Sequence, residues 1–404
     1  MLTAAVIGFS AQAQLSEGGI PASMQNNLKD QYVPSLSYAL PDWNSAIKKS
    51  ETEEAKGKPQ PYLVALFTAA DVSFPASGTF AKTENGTRVW RAQVKVDGAK
   101  AMGFYYDQFN LPKGVKLYIS NANGNQILGA FSSNNNSPEK TFANEAVQGS
   151  VVNLEMDIAP GVNTDEIDMH IDRVAVYFRS IEHLAQYVNL HEIDHIDSLF
   201  AGASSICMIN AICPEGVNYP NQRKASFQTL IPVGQGVAAC SATMINNTGN
   251  TGSTCKQYFV LATHCDGDNS TTSSHFDQWL LRYNFQQAAC SSGSAIPQSN
   301  TMVGANFIAR ANYNESAPVD NLKGDFLLLE ARQAVPAAWD VVLSGWNKDP
   351  NHAVTVTLPK KFIGFHHPAG DVKKTSSAQE MEGTSLDGTT TEPTTHWGLL
   401  LNSG

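Results

Sequence analysis

Before Cys207 the chain has no cysteine, and its 6 cysteines all lie between Cys207 and Cys290. The amino-terminal half can form no disulfide of its own and must hold together by packing. The clustered set downstream fits a disulfide-bearing exported domain. Charge is scarce too: charged residues are 16% of the 404 positions against 42% hydrophobic, and the net charge of −10 is spread along the chain. No Lys/Arg cluster is dense enough to make a phosphate-binding surface, which removes nucleic acid from the expected partners. Long apolar runs are missing as well. None approaches the ~20 residues of a membrane span, so no membrane partner is expected. The start lacks the basic front end of a secretory signal but keeps its remainder, a short apolar stretch closed by Ala11-Gln12-Ala13. Residues 1–13 therefore read as a signal peptide whose front end is truncated, and the protein as secreted, either extracellular or periplasmic.

What is there is mostly short strands. A length of 404 leaves room for two or three domains. Residues 14–60 are polar, with Pro34, Pro41, Pro59 and the charged run 48–56, and read as a loosely ordered arm or as a short helix on the surface of another unit. Between 61 and 180 the segments Tyr62–Phe67, Arg88–Val96, Ala101–Tyr106, Val115–Ser120, Gln126–Phe131, Val151–Met156 and Val174–Phe178 are β-rich and separated by Gly/Asn/Pro turns. That spacing predicts an antiparallel sandwich. Its aromatics, Trp90, Phe104, Tyr105 and Phe131, alternate as core and rim residues do, and no catalytic cluster stands out.

Residues 181–204 read as a linker. They contain His191-Glu192-Ile193-Asp194-His195, the H-E-x-x-H pattern in which two histidines on one helix face bind zinc and the glutamate activates water. No third histidine follows at a suitable spacing, and the charge around it (His183, Glu192, Asp194, Asp197) suits a solvated linker helix. A zinc protease through His191 and His195 is the weakest of three readings, and no metal or other cofactor is expected.

The stretch with most chemical content runs from Cys240 to Cys265. Two β-branched, apolar segments flank a Gly/Asn/Thr-rich connection, which predicts a hairpin. One cysteine lies in the first strand, and the other closes the second beside His264. A disulfide between them would fix the loop that carries the histidine. A histidine so held could serve as a general base, or it could be structural; the local residues weigh both readings about equally.

Cys240-Ser-Ala-Thr-x-Ile-Asn-Asn-Thr248 followed by Tyr258-Phe-x-x-Ala-x-His264-Cys265 resembles the catalytic-histidine hairpin of chymotrypsin-like serine proteases. In detail it is most similar to secreted bacterial lysyl endopeptidase precursors. Cys207-x₅-Cys213-Pro-Glu-Gly216 resembles the mature amino terminus of that family. Gly345-Trp346 and His366-His367-Pro368 resemble two of its later strands, and residues 61–180 more loosely its β-rich propeptide. The resemblance implies an all-β chain, a β-sandwich propeptide followed by an incomplete chymotrypsin-like double β-barrel in 205–404. It implies His264 as general base and Asp325, in Gly324-Asp325-Phe326-Leu327-Leu328, as the acid behind it, with Asp320 the competing candidate. It also implies disulfides Cys240–Cys265 and Cys213–Cys290. Cys207 and Cys255 are left either paired with each other or as free thiols.

The substrate would be a protein or peptide cut after lysine, and the propeptide would contact its own protease domain. Cleavage between the two would fall near 201–205, and His366 and His367 would help line the substrate side. In the family the strand matching 398–403 leads into the Gly-x-Ser-Gly loop that carries the nucleophile. No Gly-x-Ser-Gly occurs in residues 1–404, so the chain reads as a C-terminally truncated precursor fragment, inactive as it stands. A non-catalytic exported binding protein built from the same β-domains is the runner-up.

Overall fold

Strand pairing and three apolar clusters sort the described residues into a sandwich, a barrel and a small third sheet. The computed structural model describes residues 14–54, 62–188, 204–311, 325–346, 362–384 and 396–403, apart from positions 27, 29, 30, 206, 252–254, 268, 292–294 and 298. The protein is all-β, as expected. The sandwich is built from β1 (Ser35–Tyr38), β2 (Tyr62–Ser73), β3 (Thr79–Lys82), β4 (Arg88–Val96), β5 (Ala101–Asn110), β6 (Val115–Asn121), β7 (Ile127–Phe131), β8 (Phe142–Ala143), β9 (Val147–Gln148), β10 (Val151–Ile158) and β11 (Asp168–Tyr177). One sheet runs β1-β4-β10-β6-β7, with β3 following β1 along the same edge of β4, and the other carries β2-β11-β5-β8. Trp90, Val94, Leu117, Ile119, Leu154 and Met156 from the first face meet Val72, Met102, Phe104, Tyr106, Val174 and Val176 from the second.

Two expectations need correction here. Residues 14–54 are not a loose arm. Leu36 and Tyr38 alternate correctly to pack on the sandwich core, so β1 pairs in parallel with β4 and Pro34 O accepts the Gln93 N–H at 2.8 Å. Trp43–Glu54 is a helix, as the second of the two readings had it, and Gln14 is buried. Nor is 181–188 a solvated linker. The short 3-10 segment Glu182–Tyr187 buries His183 and Leu184. Residues 189–203, with His191 and His195, lie outside the described residues.

The barrel comprises β13 (Ser226–Val233), β14 (Gly236–Ile245), β15 (Tyr258–Leu261), β16 (Leu280–Tyr283), β17 (Asn300–Val303), β18 (Ala305–Arg310) and β19 (Leu327–Ala331). Antiparallel pairings run β16-β13-β14-β15-β19-β18, and β17 returns to β16. Closure depends on the bend between β17 and β18 at Gly304, whose φ of +88° suits glycine. Phe227, Ile231, Met244, Phe259, Leu281, Tyr283, Met302, Leu327 and Leu329 fill the interior. A separate antiparallel sheet follows the order β12 (Ile209–Asn210), β21 (Lys374–Thr384), β20 (Phe362–His366), with β22 (His396–Ser403) on β21.

Sandwich and barrel share one sheet. The first half of β14 pairs with β2, Gly236 opposite Leu66 and Ala239 opposite Tyr62. A third apolar cluster fills the seam, with Val64, Tyr105, Tyr177, Ile181 and Leu184 against Leu230, Val237, Ala239 and Leu280. Across it Arg282 of β16 makes a buried, two-pronged contact with Glu145, 2.9 Å from Nε to Oε1 and 2.6 Å from Nη2 to Oε2. Among the described residues no helix is long and apolar enough to cross a membrane.

Candidate active site

The register of two strands brings His264 to Asp325. β15 and β19 are antiparallel with Leu261 opposite Leu327, so the residues just after Leu261 and just before Leu327 emerge at the same end of the barrel. After Leu261 the chain makes one 3-10 turn, Thr263–Cys265, and His264 is its middle residue. Asp325 lies two positions ahead of Leu327. Its Oδ1 accepts the backbone N–H of His264 at 3.0 Å, and its Oδ2 meets the imidazole Nδ1 in a very short contact. Both side chains are about one-third exposed, each with relative accessibility 32%. A carboxylate can only accept, so Nδ1 carries the proton and the basic lone pair belongs to Nε2.

The turn is held from behind by Cys265, which is disulfide-bonded to Cys240 on β14 across a Cα–Cα distance of 6.2 Å. Cys213 and Cys290 form the second disulfide, with Cα atoms 4.6 Å apart. Loops of 25 and 77 residues closed in this way stabilise by roughly 3 and 4 kcal/mol in the chain-entropy view. Of the two alternatives for the remaining cysteines, the structure has the second: Cys207 and Cys255 are free and exposed.

Asp320 lies outside the described residues. His367 does not line an open face. It is 4% exposed, its Nδ1 bonds Asp371 O at 3.0 Å, and its ring stacks on Phe285. Burial, with Lys373 beside it, holds its pKa well below the ordinary histidine value. Its neighbour His366, partly buried, bonds Ser376 Oγ at 2.7 Å. Among the described residues no three His, Cys, Asp or Glu side chains converge to hold a metal.

Sequence reasoning missed three residues beside the histidine. Asp266 has no exposed side-chain surface; its Oδ1 lies 2.6 Å from Nε2 of His275 and its Oδ2 meets Nη2 of Arg310. Asp266 follows directly on the His-Cys motif, which was the one available signal. Nothing local marks Arg310 or His275 as its partners.

Fold and site together define an all-β protein with a disulfide-clamped histidine–aspartate pair at the rim of a barrel. Residues 201–402 match the family described as Lysyl endopeptidase, C-terminal domain. That is half of the 404-residue chain, and the chain belongs to this family, a family of proteases.

Proposed function

We propose that residues from about 205 onward belong to the catalytic domain of an exported serine endopeptidase of the chymotrypsin-like type. It is made as a zymogen and cuts protein or peptide substrates after lysine. The observation that carries the reading is Asp325 gripping both the backbone N–H and the Nδ1 of His264. In acyl transfer a serine hydroxyl gives its proton to His264 Nε2 as its oxygen attacks the peptide carbonyl. Asp325 stabilises the imidazolium, and His264 then passes the proton to the leaving amine, with water reversing the sequence to free the acid. No metal or organic cofactor is required.

The serine is assigned to none of residues 1–404, since no Gly-x-Ser-Gly occurs among them. The sandwich over 61–180 is read as the propeptide, and its β2 augments β14 of the protease barrel. Export fits the Ala11-Gln12-Ala13 pattern and the two disulfides.

The test has two arms. Purified 1–404 should show no amidase activity on lysyl peptides. A chain in which a Gly-x-Ser-Gly loop follows Ser403 should cleave them once the amino-terminal part is removed, and His264→Ala should abolish the cleavage. Robust activity from 1–404, or activity that survives His264→Ala, overturns the reading.

A further inference from the structure

We propose that Asp266, gripped by Arg310 and His275, is the positioning residue that holds His264 against Asp325. The inference rests on the reading of that pair as the catalytic dyad.

The turn carrying His264 cannot hold itself. It contains only two i→i+3 bonds, Cys265 N–H to Ala262 O at 3.3 Å and Asp266 N–H to Thr263 O at 3.2 Å, and a single 3-10 turn is weak alone. The disulfide at Cys265 fixes one point of it, on β14. Apart from the contacts with Asp325 that are themselves to be held, one fixed point still lets the turn pivot, and a pivot of this kind alters the gap between His264 and the acid just ahead of β19.

Asp266 supplies the second point, and Arg310 ties that point to the acid. Arg310 ends β18, where it pairs with Leu327 at the start of β19. The next residue, Ala311, donates its N–H to Phe326 O at 2.9 Å. The backbone around Arg310 is thus locked to the segment that begins with Asp325. Its guanidinium reaches from that segment to Asp266, two residues after His264. The result is a closed circuit: Asp325 to Arg310 through β-sheet register, Arg310 to Asp266 through the ion pair, Asp266 to His264 through the chain, and His264 back to Asp325. His275 braces the other oxygen of Asp266 from the turn Ser273–Phe276.

The chemistry of the pair fits a positioning role better than a stabilising one. The side chains of Asp266 and Arg310 are 0% and 4% exposed, and such buried charges seldom improve stability over apolar residues of the same size. Among the described residues, Nε and Nη1 of Arg310 find no hydrogen-bond acceptor. A guanidinium placed for stability would use those groups in a two-pronged contact. Here one N–H is committed to one oxygen, and that contact fixes distance and direction.

The probe is the Nδ1 proton of His264, followed by NMR on the whole 1–404 chain with 15N-labelled histidine, so no nucleophile is needed. Wild type should show a far-downfield imidazole proton that disappears in His264→Gln. Asp266→Asn, which keeps the shape of the side chain, and Arg310→Met should each speed the exchange of that proton with water at least tenfold. Arg310→Lys should restore part of the protection. Thermal unfolding checks that each variant is folded. Where Arg310→Met does not fold, Asp266→Asn decides. Absence of the downfield proton in wild type would sink the dyad itself. Its presence in wild type with unchanged exchange in folded Asp266→Asn would overturn the positioning role alone.

Discussion

His264 needs its second nitrogen basic and its ring held still, and Asp325 serves both requirements through two contacts. Asparagine at 325 can still accept from the backbone N–H, but its amide can turn an N–H toward Nδ1 and so favour the wrong tautomer. In a chain extended by a Gly-x-Ser-Gly loop, Asp325→Asn should lower kcat about ten-thousandfold with KM little changed. Asp320→Asn should have only a small effect; the reverse ranking would mean that the acid is Asp320. Both members of the pair were reached through the resemblance of two short strings, Ala262-Thr263-His264-Cys265 and Gly324-Asp325-Phe326-Leu327-Leu328, to those of a known family; the local residues alone left His264 as readily structural and Asp320 as a rival acid. Asp266, His275 and Arg310 were not reached at all. Their partnership is made by three elements meeting in space, and an aspartate after a cysteine or an arginine at a strand end has no pattern of its own.

Among the elements, β14 does most to connect the molecule. Its first half takes β2 as a neighbour, and its second half takes β15, which leads into the His264 turn. Gly236 makes the first pairing possible. A Cβ built there would lie 2.3 Å from the carbonyl oxygen of Ala65, closer than any side chain tolerates. Gly236→Ala should therefore push β2 away while leaving the barrel, which closes without β2, intact. Hydrogen exchange reads this out at Phe67, whose N–H donates to Gln235 O at 2.8 Å. Its exchange should accelerate at least tenfold, while amides of β15 and β19 keep their protection; unchanged protection at Phe67 would contradict the packing argument. Sequence reading found the long strands, because Arg88–Val96 and Val151–Met156, which the structure extends to Ile158, are β-rich runs that turn residues interrupt clearly. It missed β1, whose four residues sit among prolines, and the two-residue strands β8 and β9, too short to show any period. The β2–β14 pairing was invisible for another reason: strand edges distant in sequence choose partners by shape, and a missing side chain at Gly236 is no signal until Ala65 is beside it.

For the whole molecule, the question is what keeps sandwich and barrel in contact. The Arg282–Glu145 pair lies at the centre of the seam. Arg282 Nη1 also bonds Ser180 O at 3.2 Å and Gln228 Oε1 at 2.9 Å, and Thr301 Oγ1 bonds Glu145. Glu145→Ala would leave a buried guanidinium without its counter-charge, and by denaturant titration should cost about 3–5 kcal/mol; a loss under 1 kcal/mol would show that the contact is peripheral. His183, beside this pair, gives the seam an acid-sensitive component. Its ring is buried edge-on against Phe285 with centroids 5.2 Å apart. Burial first, then the Arg282 charge, holds its pKa down to about 3, although Glu145 pulls it back up. An unfolded chain would protonate this histidine near its ordinary value of about 6.5. Between those two values the unfolded state binds a proton that the folded state refuses, so stability is present above the upper value and drains away as pH falls. The slope is about 1.4 kcal/mol per pH unit. Other groups in the seam titrate as well. Burial raises Glu182 to about 8, which acts in the opposite sense, and His367 acts in the same sense as His183. Comparison with His183→Gln cancels them, since both proteins carry them. Between pH 6.5 and 5.0 wild type should lose about 1.5 kcal/mol more stability than His183→Gln in parallel denaturant titrations. Equal losses would mean that His183 takes up its proton inside the folded protein, and that Glu145 outweighs burial and Arg282 around its ring.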